Sequence, residues 1–352
     1  MKKEFAIPIF AFAAAFILIL SILIPQNIVP DKNGISLLTQ ASRFKEGENS
    51  PISSSAEESK NSTEKFYKIY TGGYILGAME NYINEKNAWK LTAVLSVAVS
   101  ALLLFLTLTA YSSRQRVFLL MTLFFTFPSI IKAYFSASGY IVTMLFMSLL
   151  MYVIFIKTDF FLKWYLVSLT SAFLFIDLPF FCVLFYIIPI IAFIFAKKYQ
   201  TASKSFMLSL GVLLFGIAMH IFCFFMYKSK LGAFSIFNPQ NIVSALKTET
   251  TFFFVVNFIG IFRCPKYVKR YIVPALAAYP IFMFSSMFSH SVPALELCFL
   301  PPMFLGFASS VIHQKFYRKY SRIVLIVIGI TVIVLMFKNI SAAFFLAKTA
   351  VK

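Results

Sequence analysis

Residues 89–116 read WKLTAVLSVAVSALLLFLTLTAYSSRQR. Trp89 to Tyr111 is apolar but for Lys90 and scattered hydroxyls, and Arg114 and Arg116 close the run. About 20 such residues are what a helix needs to cross the hydrocarbon core of a bilayer. A basic stop after the run is the anchoring and orienting signal of membrane helices. The pattern recurs outward from here. Spans are expected at Phe5–Ile24, Val117–Phe135, Tyr140–Ile156, Ser205–Tyr227, Thr250–Phe262, Tyr271–Phe288, Ala294–Ile312 and Ile323–Phe337. Between Trp164 and Ala196, Asp177-Leu-Pro179 divides a run too long for one span into two short helices, because Pro interrupts the helical ladder and a charge seeks water.

Composition agrees. The chain has 352 residues, 60% of them hydrophobic, against roughly 45–50% in soluble domains. The fold class expected is all-α, a polytopic transmembrane bundle of about eleven spans. With 45 Phe and 12 Gly, the helices are expected to pack through bulky side chains and not through Gly-lined seams. The formal charge of +19 does not indicate nucleic acid. Lys and Arg fall in short segments at alternate ends of the apolar runs, which reports topology and contact with anionic headgroups. Cys182, Cys223, Cys264 and Cys298 are scattered singly. Without a CxxC pair or a His cluster they predict inert thiols and not a disulfide framework, a zinc site or any other metal site.

Lys2 and Lys3 precede the first apolar run, and no Ala-x-Ala site follows it. That predicts a retained first helix (5–24) with a cytoplasmic N-terminus in the plasma (inner) membrane. Residues 25–88 form one long, nearly neutral extracytoplasmic loop, 89–337 the bundle and 338–352 a tail. The loop opens on Pro30-Asp31-Lys32-Asn33-Gly34. A short helix is expected over Ile35, Leu37, Leu38, Ala41 and Phe44, closed by Gly47. Phe66 to Ile83 repeats apolar residues at helical spacing, predicting an interfacial helix with its tyrosines at headgroup level. The Gly72-Gly73 pair counts against helix there.

On this topology the outer face gathers Asp31, Arg43, Lys45, Glu46, Glu48, Lys132, Asp177, Lys228, Lys230, His290 and Glu296. The inner face offers almost only Lys and Arg. The first helix, Asp31, and then Ala41-x-Arg43-Phe44-x-x-Gly47-x-x-x-Pro51 resemble the GT-C glycosyltransferases. So do Trp89-Lys-Leu, Phe127-Pro128-Ser and Gly139-Tyr140 at the ends of later segments. The resemblance covers about Phe5 to Phe195. It implies a multi-spanning enzyme of the cell envelope that moves a sugar from a polyprenyl-phosphate donor to a lipid or glycan acceptor on the extracytoplasmic side.

The resemblance also implies site roles. Asp31 would be the general base, with Glu46, Glu48 or Asp177 as a second carboxylate. Arg43, Lys132, Lys228, Lys230, His290 and Glu296 would bind substrate or lipid phosphate. Lys32 stands where many members of the family carry a second acid, which leaves room for a non-catalytic relative. The family has metal-dependent and metal-independent members, so a divalent cation is compatible with it, although no ligand set is evident. A transporter or flippase of lipid-linked glycans, or a polymerase of them, is the alternative on the same layout.

Overall fold

The computed structural model describes residues 71–110, 112, 114–125, 127–156, 238–287 and 292–313, with isolated positions at 34, 37–38, 41–42, 162–163, 166–167, 169–170, 174, 330 and 334. The described residues are helical, with no strand among them. The helices are α1 (Thr71–Glu80), α2 (Glu85–Thr109), α3 (Arg114–Phe125), α4 (Pro128–Phe135), α5 (Tyr140–Phe155), α6 (Gln240–Leu246), α7 (Glu249–Arg263), α8 (Lys266–Ser286) and α9 (Val292–Ile312).

Length decides which of these can cross a bilayer. At 1.5 Å per residue, α2 is roughly 37 Å long and α9 roughly 31 Å, against about 30 Å of hydrocarbon. Two stretches, Asn87–Thr109 and Leu295–Ile312, are long and apolar enough to span. A third span exists if α6 and α7 count together, although they meet at a 64° bend. α5, at 16 residues, is roughly 24 Å and falls short by itself. The spans expected at 5–24, 164–196, 205–227 and 323–337 lie largely or wholly outside the described residues.

The expected span Val117–Phe135 is two helices. Pro128 starts α4 and Phe127 takes an extended conformation before it, as the residue preceding a proline prefers. α4 then ends in a tight reversal. Ala137 has φ 53°, Ser138 N donates to Ala133 O at 2.9 Å and Ala137 N to Tyr134 O at 3.4 Å. These two bonds make a left-handed helix stop. Trp89 Nε1 also donates to Tyr134 O, at 3.1 Å. One turn of α2 is thereby fastened to the end of α4, with Trp89 and Tyr134 both fully buried.

One large buried cluster draws on α1 through α9, and a small second one of Cys264, Val268 and Ile272 lies at the α7–α8 turn. α2 packs along α5, α8 along α9, and α9 against α5. Phe124, Phe127, Phe253 and Phe304 interlock at the centre with ring centroids 5.2–6.3 Å apart. The expectation of bulky packing holds there.

It does not hold at two seams. Gly72 of α1 lies where a Cβ would come 3.2 Å from Val142 Cγ2 and 3.4 Å from the carbonyl of Gly139. The glycines that argued against a helix thus lie on its contact face, where a Cβ at Gly72 would crowd Val142 of α5. Gly72, Gly73, Leu76 and Gly77 are buried while Tyr82, just beyond, is 88% exposed. Leu37 and Ala41, at helical positions after Asp31, are also buried in the main core.

Candidate functional site

The break between α6 and α7 carries the best-defined polar arrangement among the described residues. Thr248 sits at the N-cap of α7 in extended conformation, but its side chain caps nothing in α7. Its hydroxyl instead donates backward to Ala245 O at 2.6 Å. Thr251 Oγ1 donates to the same carbonyl at 2.9 Å and meets the Tyr279 hydroxyl of α8 at 3.1 Å. These bonds hold the last turn of α6 and the first of α7 at their fixed angle.

The cap of α7 comes from another helix. Glu296, near the start of α9, is 3% exposed. Its Oε1 accepts from Thr250 N at 2.9 Å and from Thr250 Oγ1 at 3.2 Å. A carboxylate near the first free N–H groups of a helix satisfies an orphan donor and meets the positive end of its dipole. The Glu249 side chain, in the first turn of α7, is the acidic neighbour of Glu296. Glu249 Oε2 is shielded from solvent and has no donor among the described residues. Two neighbouring carboxylates repel one another when both are ionised.

Below this cap, α7 and α9 run parallel in register. Thr250 pairs with Glu296, Asn257 Nδ2 donates to Met303 O at 3.2 Å, and the Cys264 thiol reaches Ser310 O at 3.9 Å. Each step is seven residues on both helices. Gly260 and Gly306 lie between the rungs. A Cβ on Gly306 would come 2.8 Å from Asn257 Oδ1 and 2.8 Å from Ala275 Cβ, and one on Gly260 would overlap the Ser310 hydroxyl. This seam is the Gly-lined close approach that the composition argued against.

Of the candidate residues from the sequence, Lys132 and Glu296 fall among those described. Lys132 is exposed in the last turn of α4, where a cation complements the helix dipole. Glu296 is committed to Thr250 and Glu249, which leaves it a poor partner for phosphate. Asp31, Arg43, Glu46, Asp177, Lys228, Lys230 and His290 lie outside the described residues. Glu249 and Thr250 were missed as partners of Glu296. The signal was the run Thr248-Glu-Thr-Thr251, a cap-forming composition placed just before an apolar segment.

Cys264 and Cys298 are buried, as expected of inert thiols. Burial pushes the Cys264 thiol above its ordinary value, against a smaller opposing effect of Lys269. No group of three or more metal-binding side chains occurs among the described residues. No protein-family model matches the chain, and no characterised protein matches it in sequence.

Proposed function

We propose that the chain is a polytopic membrane glycosyltransferase with a GT-C-like layout of about eleven spans, acting outside the cytoplasm on a polyprenyl-phosphate-linked sugar. Asp31 is the base that deprotonates an acceptor hydroxyl, and outer cations such as Arg43 and Lys132 steady the leaving phosphate. The observation that supports this reading is the burial of Leu37 and Ala41 at helical positions after Asp31. A short helix fixed to the core is the kind of support a catalytic group at its head requires.

The test uses proteoliposomes with a lipid-linked sugar donor. Asp31→Asn is expected to lower turnover by roughly 10²- to 10⁴-fold, the usual weight of a general base. Undiminished transfer by this variant would remove the mechanism. A wild-type protein that transfers no sugar from any lipid-linked donor would instead be a non-catalytic relative. Accessibility of single introduced cysteines from either side of the membrane would count the spans and orient them.

A second reading, a transporter or flippase of lipid-linked glycans, draws on a different observation. The α6–α7 break carries the buried Glu296 and the partly buried Glu249 near one end of a candidate span, and broken helices with ionisable groups are typical of transport sites. Glu296→Gln separates the two. It preserves the Thr250 bond and sugar transfer under the first reading, and abolishes proton-coupled flux under the second.

A further inference from the structure

The end of the bundle opposite the carboxyl pair is held by cations. α7 closes on Arg263, and Lys266, Lys269 and Arg270 open α8. Lys163 lies against the end of α5, its ammonium donating to Ile156 O at 3.1 Å. The Arg270 guanidinium donates to the Tyr271 hydroxyl at 2.8 Å and lies 4.7 Å from the centre of that ring. The ring in turn packs on Phe155, 4.4 Å between centroids. Two cations are thus pinned by neutral partners to the last turn of one helix.

They are close enough to oppose one another. Burial, and after it the Arg270 charge, holds Lys163 below the ordinary lysine value. The described acidic residues lie elsewhere: Glu80 ends α1, Glu85 opens α2, Glu249 opens α7 and Glu296 sits near the start of α9. Fixed like charges with no described carboxylate between them are stabilised by an anion from outside. The same α7–α8 turn leaves Phe262 73% and Tyr267 50% exposed. A small free anion would use only the cations, whereas a phospholipid uses cations and apolar surface together.

We propose that Lys163 and Arg270, at the end of α5, bind the phosphodiester headgroup of an anionic phospholipid, with the exposed side chains of the α7–α8 turn meeting its acyl chains. The site is independent of the sugar-transfer reading and sits at the other end of the molecule from the carboxyl pair. Asp159, the acid closest in sequence to Lys163, lies outside the described residues, so its removal belongs in the test.

The full chain in neutral detergent is titrated with short-chain phosphatidylglycerol, short-chain phosphatidylcholine and inorganic phosphate. Thermal unfolding and lipid retention by native mass spectrometry are the readouts. Phosphatidylglycerol is expected to raise the unfolding temperature and to be retained, while phosphatidylcholine and phosphate do neither. Lys163→Met and Arg270→Gln should each weaken that retention roughly fivefold, the usual weight of one interfacial cation. Lys247→Gln, beside the carboxyl pair, should leave it unchanged.

Equal effects of the two lipids on the wild-type protein would overturn the proposal, and that comparison requires no variant to fold. So would an equal effect of inorganic phosphate, full retention by both cation variants, or a preference that appears only in Asp159→Asn.

Discussion

The α2–α5 seam and the α7–α9 seam solve the same problem in different ways. Both pair parts of long apolar helices inside the core. α2 presents small side chains, with Ala88, Thr92, Ala93, Ser96, Ser100 and Ala101 all buried. Its hydroxyls make little use of one another: Thr92 and Ser100 have no hydrogen-bond partner among the described residues. Thr107 and Ser148 of α5 each bond a carbonyl of their own helix. α7 and α9 instead meet through bonds that cross the seam at seven-residue intervals. In lipid, apolar side chains gain nothing by leaving one hydrocarbon for another, so close packing and cross-helix hydrogen bonds supply the attraction. The first seam relies on the close packing of small side chains. The second is fixed in register, because a shift of one residue breaks each rung.

The largest expected effect falls on the close approach. Gly306→Leu places a branched side chain where even a methyl would meet Asn257 and Ala275, and should cost roughly 1–3 kcal/mol or more. The loss would appear as a lowered unfolding temperature in detergent, followed by tryptophan fluorescence. A wild-type temperature would mean that the α7–α9 seam is looser than described. Next comes Glu296→Ala, which strips the cap from α7 and leaves Thr250 N–H unpaired, at about 1–3 kcal/mol. Glu296→Gln keeps the accepting oxygen and should cost far less. If the two variants lose stability equally, the cap is not what Glu296 contributes.

Asn257→Leu tests the middle rung. Measured hydrogen bonds between membrane helices average about 0.6 kcal/mol, so a loss near that size is expected. Raising pH tests the α5 end. Lys163 binds its proton less tightly folded than unfolded, so the folded state carries a penalty at neutral pH. That penalty is relieved as pH climbs toward the ordinary lysine value of 10.5. A slight gain in stability on the alkaline side is expected, and it should vanish in Lys163→Met. The smallest effect belongs to the first seam. Thr92→Val and Ser100→Ala remove hydroxyls that lack described partners and should change stability by no more than about 0.5 kcal/mol, in either direction. A large loss from either would show that the α2–α5 seam is also held by hydrogen bonds.

Much of the helical frame was legible in the chain. The expected Tyr140–Ile156 became α5, Tyr271–Phe288 became α8 and Ala294–Ile312 became α9, each within five residues at either end. Apolar length and basic or Pro boundaries carry that information locally. The site was less legible. Glu296 was singled out among the outer-face ionisable groups, yet its neighbours Glu249 and Thr250 lie 46–47 residues away in sequence. Nothing in either segment names the other.

What the sequence determined by itself is the helical, membrane-compatible character of the chain, since hydrophobic period and length are properties of each segment alone. Tertiary structure decided the rest. Gly72 reads as a helix weakener, and the worth of Gly72, Gly260 and Gly306 shows only once neighbouring side chains are placed against them. Thr248, at the N-cap of α7, leaves that work to Glu296 from another helix. A glycine's worth and a carboxylate's partner depend on what the fold brings within a few ångströms, and a one-dimensional pattern carries no such distances.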